Sequence, residues 1–352
     1  MAIRRIGIMG AGAIGSVVGG MLTKAGYDVT LIDQWPPHIE AMKANGLTLS
    51  GSCGDHVVPV KAIQLYEAQG IQEPFDAAFL AVKAYDTEWA TAFIMRFLQE
   101  SDGVIVDFQN GINDERVAAV AGRPRTLGCV ITISAGMYEP GHAMRTDQGG
   151  GFKIGELDNE ETQRAHELVE IMNSVAESHV TTNLFGDRWS KLAVNSMANP
   201  IAGLSGYGSN EVRTLDVPRS IAIQVAAEAI TVGRAAGYEI EPLMGIEAQK
   251  FVDAAQGKNV KVLHDEMAAG ARGLAGGRPS LLQDVIRGRR TEIEDLNGYV
   301  VAEGKRLGVP TPFNEAIVHE VHRHGVGTLK PDPKNLDPIA RLLPKVPAGA
   351  RA

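Results

Sequence analysis

Residues 4–33, "RRIGIMGAGAIGSVVGGMLTKAGYDVTLID", constrain the fold more than any other stretch of the chain. An apolar run at 4–9 leads into "GAGAIG" (Gly10, Ala11, Gly12, Ala13, Ile14, Gly15). A helical stretch then closes at Gly26, and a second strand ends at Asp33. A lone GxGxxG could be any glycine-rich turn. Set between a strand and a helix, with an acid 18 residues past its last glycine, it is a dinucleotide-binding fingerprint. Gly10 permits the tight turn, Gly12 lets a pyrophosphate approach the backbone, and Gly15 lets helix and strand pack closely. The helix N-terminus adds unpaired N–H groups and a partial positive charge. Two arginines before a short apolar run imitate a signal peptide, but the run is too short for an h-region and is expected to be the first strand.

The end of the second strand, "LIDQWPP", selects the dinucleotide. Asp33 can accept hydrogen bonds from a ribose 2′-OH and would repel a 2′-phosphate. Gln34 and Trp35 follow it where a 2′-phosphate would call for Arg or Lys, so NAD is expected rather than NADP. Apolar strands at 76–84, 102–111 and 126–136 alternate with helices, the pattern of a mostly parallel, doubly wound sheet. Lys83 and Asn110 fall at the carboxyl ends of two of these strands, where ligands sit in such sheets. The triple glycine at 149–151 reads as a hairpin turn, and 178–185 as a further strand.

After Trp189 nothing reads as a strand until about residue 323. Residues 216–237 read as a buried helix with Asp216 as N-cap. Ser280 and Gln283 have capping-box spacing. Continued as one helix, that segment would put Val285, Arg289, Glu292 and Leu296 on one stripe, with Glu292 near an apolar face where a carboxylate requires a partner. Five prolines from Lys330 onward suggest an extended surface tail. The expected organisation is therefore an α/β dinucleotide-binding domain (1–185), an all-α domain (186–329) and a C-terminal tail (330–352).

Just after the junction stands "WSKLAVNSMANP", with Lys191, Asn195 and Asn199 at four-residue intervals. Steps of four keep the three side chains on nearly one helix face. Solvated faces favour Glu, Lys, Arg and Gln, whereas Asn is a mediocre helix former. Two mid-helix asparagines in line with one lysine fit a pocket between domains better than a wet surface.

Other chemistries are set aside by composition. The formal net charge is −8 without a dense basic cluster, which argues against nucleic acid. No apolar run reaches the roughly 18 residues of a membrane span. Cys53 and Cys129 are the only cysteines, too few for a zinc cluster or a disulfide framework, so a reduced cytoplasmic compartment is expected. His319, His322 and His324 are spaced three and five apart at most, which fails the zinc-protease rule; no metal is expected, and Gly325 should stop their helix.

The run "GAGAIG", "VKAYDT", "FQNGIN", "KLAVNSMANP", "PSLLQD" and "RTEIEDLNGYV", in that order over nearly the whole chain, resembles the ketopantoate reductase (2-dehydropantoate 2-reductase) family of pantothenate biosynthesis. The resemblance implies an N-terminal Rossmann domain, a helical C-terminal domain of the 6-phosphogluconate dehydrogenase type, and hydride transfer to a 2-oxo acid. It puts Lys191 and Glu292 in the places of the catalytic lysine and glutamate. Asn195, Asn199 and Ser280 match substrate-binding positions, and Lys83 and Asn110 match the cofactor and substrate edge. Two departures stand out: Asp33–Gln34 replaces the usual NADPH clamp, and this chain has Gly277 near the position where some members carry an asparagine. The expected partner is a small-molecule substrate, and a homodimer is compatible with the chain. A β-hydroxyacid dehydrogenase also uses a K-x-x-x-N helix, and a non-catalytic NAD-binding protein is the rival from another class; NAD-linked oxidation of another hydroxy acid or secondary alcohol is the nearest enzymatic alternative.

Overall fold

The computed structural model describes residues 3–271 and 278–344. The chain divides into two compact units, Met1–Asp187 and Arg188–Ala352. In the first, the opening apolar run is β1 (Arg5–Met9), the glycine loop opens α1 (Ala13–Lys24), and β2 is Asp28–Asp33. Then come α2 (Pro36–Asn45), β3 (Leu47–Gly51), β4 (His56–Val58), β5 (Lys61–Gln64), β6 (Ala77–Leu80), α3 (Thr87–Ile94), β7 (Val104–Asp107) and α4 (Asp114–Ala121). The unit continues with β8 (Thr126–Ile131), β9 (Ala135–Glu139), β10 (His142–Arg145), β11 (Phe152–Glu156), α5 (Gln163–Met172) and β12 (Ser178–Val180).

Eight strands form one sheet in the order β12-β11-β8-β7-β6-β1-β2-β5, parallel except between β8 and β11. Successive strand residues alternate between two cores. Ile6, Ile8, Leu31, Phe79 and Val106 share one with α1 and α5, and Met9, Ile32, Leu80 and Ile105 share the other with α3 and α4. Cover on both faces is why these strands read as unbroken apolar runs. The chain adds β2 on one side of β1 and β6 on the other, so the carboxyl end of β1 is the topological switch point of a Rossmann-type sheet.

A second sheet, β4-β3-β10-β9, has no counterpart in the sequence expectation. Its Leu47, Leu49 and Ala143 belong to the same core as α1, and Gly20 lets it approach that helix closely. It also corrects the triple-glycine assignment. The hairpin lies at Gly141 (φ +76°), where β9 and β10 pair antiparallel. Residues 149–151 instead carry the chain from the small sheet to the large one. A Cβ on Gly150 or Gly151 would overlap the main-chain oxygen of Thr132 or Glu177, so close approach sets the requirement there.

The second unit contains no strand among its described residues. Its helices are α6 (Leu184–Ser205), which begins just before the division, α7 (Ser209–Thr214), α8 (Asp216–Ala235), α9 (Ala248–Ala255) and α10 (Val260–Gly270). α11 (Ser280–Ile286), α12 (Asn297–Leu307), α13 (Pro312–Arg323) and α14 (Asp337–Ala340) complete it. α8 is the central helix, packed against α7, α9, α12, α13 and α14.

Five expectations change here. The strand at 178–185 stops at Val180, because Thr181 turns the chain by accepting the Asn183 N–H, and α6 starts at Leu184. Asp216 is the first residue of α8, after Leu215, and its carboxylate binds Arg219 at 2.6 Å. Ser280 likewise opens α11 after Pro279 with no side-chain cap, and the Gln283 amide donates to the Arg278 carbonyl. The 285–296 stripe does not exist as one helix: α11 ends at Ile286, Gly288 has φ +63°, and α12 begins only at Asn297. The C-terminal tail is also no loose extension as far as residue 344. It folds into a turn at Pro333–Leu336 and α14, buries Leu336 and Ile339, and caps α6 by donating Asp332 N–H and Asn335 Nδ2 to the Leu204 carbonyl.

Candidate active site

At the carboxyl edge of β1 the three motif glycines have separate reasons. Gly10 has φ +103°, and a Cβ there would lie 2.7 Å from the Ala81 and Val82 main chain. A Cβ on Gly15 would overlap the Gly10 carbonyl oxygen. Gly12 has nothing within 4 Å of that position and serves as N-cap of α1, whose first turn carries no acid. The result is a cradle of main-chain N–H groups under open space at a helix N-terminus, suited to a pyrophosphate.

Asp33 fixes the rim of this cradle. Its Oδ2 accepts the Ala11 N–H at 2.7 Å and its Oδ1 the Trp35 N–H at 2.8 Å. Each carboxylate oxygen keeps a second lone pair for a ribose hydroxyl. Gln34 beside it is exposed. Lys83 and Asn110 lie three residues beyond the ends of β6 and β7, adjacent strands beside β1. Gln109 ties the two loops: its Nε2 donates to the Val82 carbonyl and its Oε1 accepts from Thr87 Oγ1, both at 3.1 Å. The structure thus brings the glycine loop, Asp33, Lys83 and Asn110 to one edge of one sheet. Gln109 was not anticipated; a lone glutamine after an apolar strand carries no sequence signal.

In the second unit, Lys191, Asn195 and Asn199 all lie inside α6, Lys191 half-buried and both asparagines buried. Pro200 stands in the same helix. It has no N–H, so the Ser196 carbonyl loses its helical donor. Asn297 Nδ2 supplies the replacement at 3.2 Å. That bond binds the start of α12 to α6, and the Trp189 and Tyr299 rings, 5.7 Å apart, extend the contact. Glu292, 5% exposed, sits in the turn immediately before α12, where its carbonyl accepts the Asp295 and Leu296 N–H groups. Glu292 thus lies in a turn that leads into the anchored start of α12, and not on a helix continued from α11. Leu281, next to Ser280, packs against Gly203 of α6.

Asn297 belongs to a longer buried chain. Its Nδ2 also donates to Asn314 Oδ1, Asn314 Nδ2 donates to Glu228 Oε2, and Glu228 accepts the Phe313 and Asn314 N–H groups at the start of α13. Burial pushes the Glu228 carboxyl above its ordinary range, while these three donors pull against that. Gly277 lies outside the described residues. Among the described residues no three His, Cys, Asp or Glu side chains gather to hold a metal, and no helix is long and apolar enough to cross a membrane.

Residues 6–159 match the family model for ketopantoate reductase PanE/ApbA, and residues 183–325 match the model for its C-terminal region. A 2-dehydropantoate 2-reductase of Archaeoglobus fulgidus is 32% identical over 91% of this chain and 98% of that protein. One of Pyrococcus horikoshii is 30% identical over 88% and 94%. The chain belongs to the ketopantoate reductase family. It is an oxidoreductase acting on CH–OH groups. Among solved structures, a PanE/ApbA family ketopantoate reductase from Ralstonia eutropha is 26% identical over 91% of this chain and 97% of that one, with a TM-score of 0.74. A D-mandelate dehydrogenase solved with NADH and anilino(oxo)acetate shares the fold over the same shares of the two chains, at a TM-score of 0.78 and 22% identity. The resemblance carried by the sequence motifs is thus borne out, and so is the Rossmann-plus-helical architecture it implied.

Proposed function

We propose that this ketopantoate reductase family member transfers hydride reversibly between NAD(H) and a 2-oxo acid/2-hydroxy acid pair such as ketopantoate/pantoate, with Lys191 as general acid and base. The glycine cradle, the α1 N-terminus and Asp33 would hold the dinucleotide, with Lys83 and Asn110 on its nicotinamide side. The nicotinamide, when bound, supplies or takes up the hydride. The helical unit, from about residue 186 to 329, carries the substrate chemistry. Negative charge builds on the substrate oxygen during reduction, and the Lys191 ammonium stabilises and protonates it. In the oxidative direction the neutral amine takes that proton back. Asn195 and Asn199 bind the substrate oxygens, and Ser280 at the start of α11 meets the carboxylate, which a helix N-terminus favours. Glu292 orients the lysine or receives the substrate hydroxyl.

The observation that carries the chemistry is the Lys191–Asn195–Asn199 stripe on a single helix, α6, whose Ser196 carbonyl is tied to the start of α12 by Asn297. For NAD over NADP the support is Asp33, held in place by two main-chain N–H groups, beside the uncharged Gln34. The test is initial rates with ketopantoate, comparing NADH with NADPH and Lys191→Ala with the parent. NADH oxidation lost in the variant supports the whole reading. A preference for NADPH overturns the role of Asp33, and tight NADH binding without turnover moves the substrate elsewhere. The same Asp33 favours one second reading, NAD-linked oxidation of a different 2-hydroxy acid or secondary alcohol.

A further inference from the structure

The glycine loop is braced from outside by a residue that neither the motif nor the chemistry uses. His38, near the start of α2, is fully buried. Its Nδ1 accepts the Gly141 N–H at 2.8 Å. A main-chain amide can only donate, so Nδ1 bears the lone pair and Nε2 bears the proton. Nε2 then donates to Ser16 Oγ at 3.1 Å, and the Ser16 hydroxyl donates to the Ala11 carbonyl at 2.8 Å. The Ala11 N–H meanwhile donates to Asp33. An unbroken chain runs from the β9–β10 turn through His38 and Ser16 to the Ala11 carbonyl, in the centre of the cradle, while Asp33 holds the Ala11 N–H from the other end of the residue.

We propose that His38, as the neutral Nε2–H tautomer, is a positioning residue that sets the glycine loop for the dinucleotide and makes dinucleotide affinity sensitive to protons. The proposal rests on the dinucleotide reading above. A proton on Nδ1 would confront the Gly141 N–H donor to donor, and the brace would open. The groups facing the ring are Asp33 from the end of β2, the stacked Trp35 indole at 5.6 Å, Ser16 from α1, the Ala11 carbonyl and the Gly141 amide. Burial lowers the His38 pKa below 6.5, opposed by the Asp33 charge and the Ala11 carbonyl. The unfolded chain therefore takes up the proton first as pH falls below 6.5, and the folded brace is lost as pH falls through the lower, folded value.

The experiment is NADH titration of the full chain from about pH 8 to about pH 5, with kcat at saturating cofactor measured alongside. The parent should lose affinity below pH 6.5. His38→Asn keeps an acceptor for the Gly141 N–H that cannot titrate, so its profile should be flatter. His38→Phe keeps a ring against Trp35 and removes both hydrogen bonds; its Kd should rise about tenfold with kcat within about twofold. Ser16→Ala, which leaves His38 in place, should raise Kd about threefold and serves if the phenylalanine variant fails to fold. The proposal is overturned if parent and His38→Asn share one pH profile, or if His38→Phe and Ser16→Ala both bind within about twofold of the parent. A parent that binds neither NADH nor NADPH at any pH overturns the dinucleotide reading and this proposal with it.

Discussion

At the edge of the parallel sheet the groups presented outward are main-chain amides, aimed by Gly10 and Gly15 and steadied by Asp33. On α6 the candidate groups are side chains, and the helix that carries them is tied to segments far along the chain: Asn297 reaches the Ser196 carbonyl across 101 residues, and Asn314, bonded to Asn297, reaches Glu228 across 86. A site built from backbone needs a fixed local spacing and so leaves a motif. One built from side chains needs partners that folding brings in from elsewhere, and those partners leave almost no local trace. The two regions should therefore fail differently when altered.

The largest effect is expected at Lys191. Lys191→Ala should lower turnover about 10²–10⁴-fold, as loss of a general acid does, while NADH titration gives the parent's Kd. Loss of binding and turnover together would mean that the two regions do not divide the labour in this way. Next come the glycines. Gly12→Ala adds a methyl group to open space, so the melting temperature should hold while the dinucleotide Kd rises about 10–100-fold through a blocked cradle. Gly15→Ala collides with the Gly10 carbonyl and should lower both affinity and stability, the latter by about 1–3 kcal/mol. A Gly12→Ala variant that binds like the parent would remove the pyrophosphate from this loop.

That contrast explains what the sequence made legible. The strand–loop–helix–strand pattern exposed the glycine cradle and Asp33, and the four-residue spacing exposed Lys191, Asn195 and Asn199, because each depends on neighbours within a few turns. The family motif and an apolar stripe both single out Glu292, but the helix assumed for that stripe does not form. Gly288 takes φ +63° and breaks the helix that would have aligned it with Val285. The second sheet stayed hidden because its strands are three to five residues long and β3 pairs with β10, whose residues lie about a hundred positions further on. His38 was hidden for a related reason: its partners Ser16 and Gly141 belong to α1 and to a turn of that unanticipated sheet.

A smaller effect tests the side-chain network directly. Asn297→Ala leaves the Ser196 carbonyl and Asn314 Oδ1 without this donor and should cost about 2–3 kcal/mol in urea unfolding. Pro200→Ala restores a main-chain N–H that can serve Ser196. In the double variant the loss of Asn297 should therefore be milder by about 1 kcal/mol than in the single one. Strict additivity would show that Pro200 and Asn297 do not compensate each other, and that the anchor of the Glu292 turn lies elsewhere.

The smallest effect concerns the far end of that network, and only its sign is needed. Burial holds the Glu228 carboxyl above its ordinary 4.5, so the folded protein keeps this proton more tightly than the unfolded chain does. Between 4.5 and the raised value the unfolded state binds fewer protons, and stability from this group declines as pH rises. Glu228→Gln cannot titrate. It loses part of the capping of α13, a cost independent of pH, and it also loses this slope. The difference in unfolding free energy between parent and variant, measured from about pH 4 upward, should therefore shrink as pH rises and then level off. A difference that grows with pH would mean that the Phe313 and Asn314 donors outweigh burial. The carboxylate would then be held ionised as an active cap, and the helical unit would rest on charge where its sequence advertises only amides.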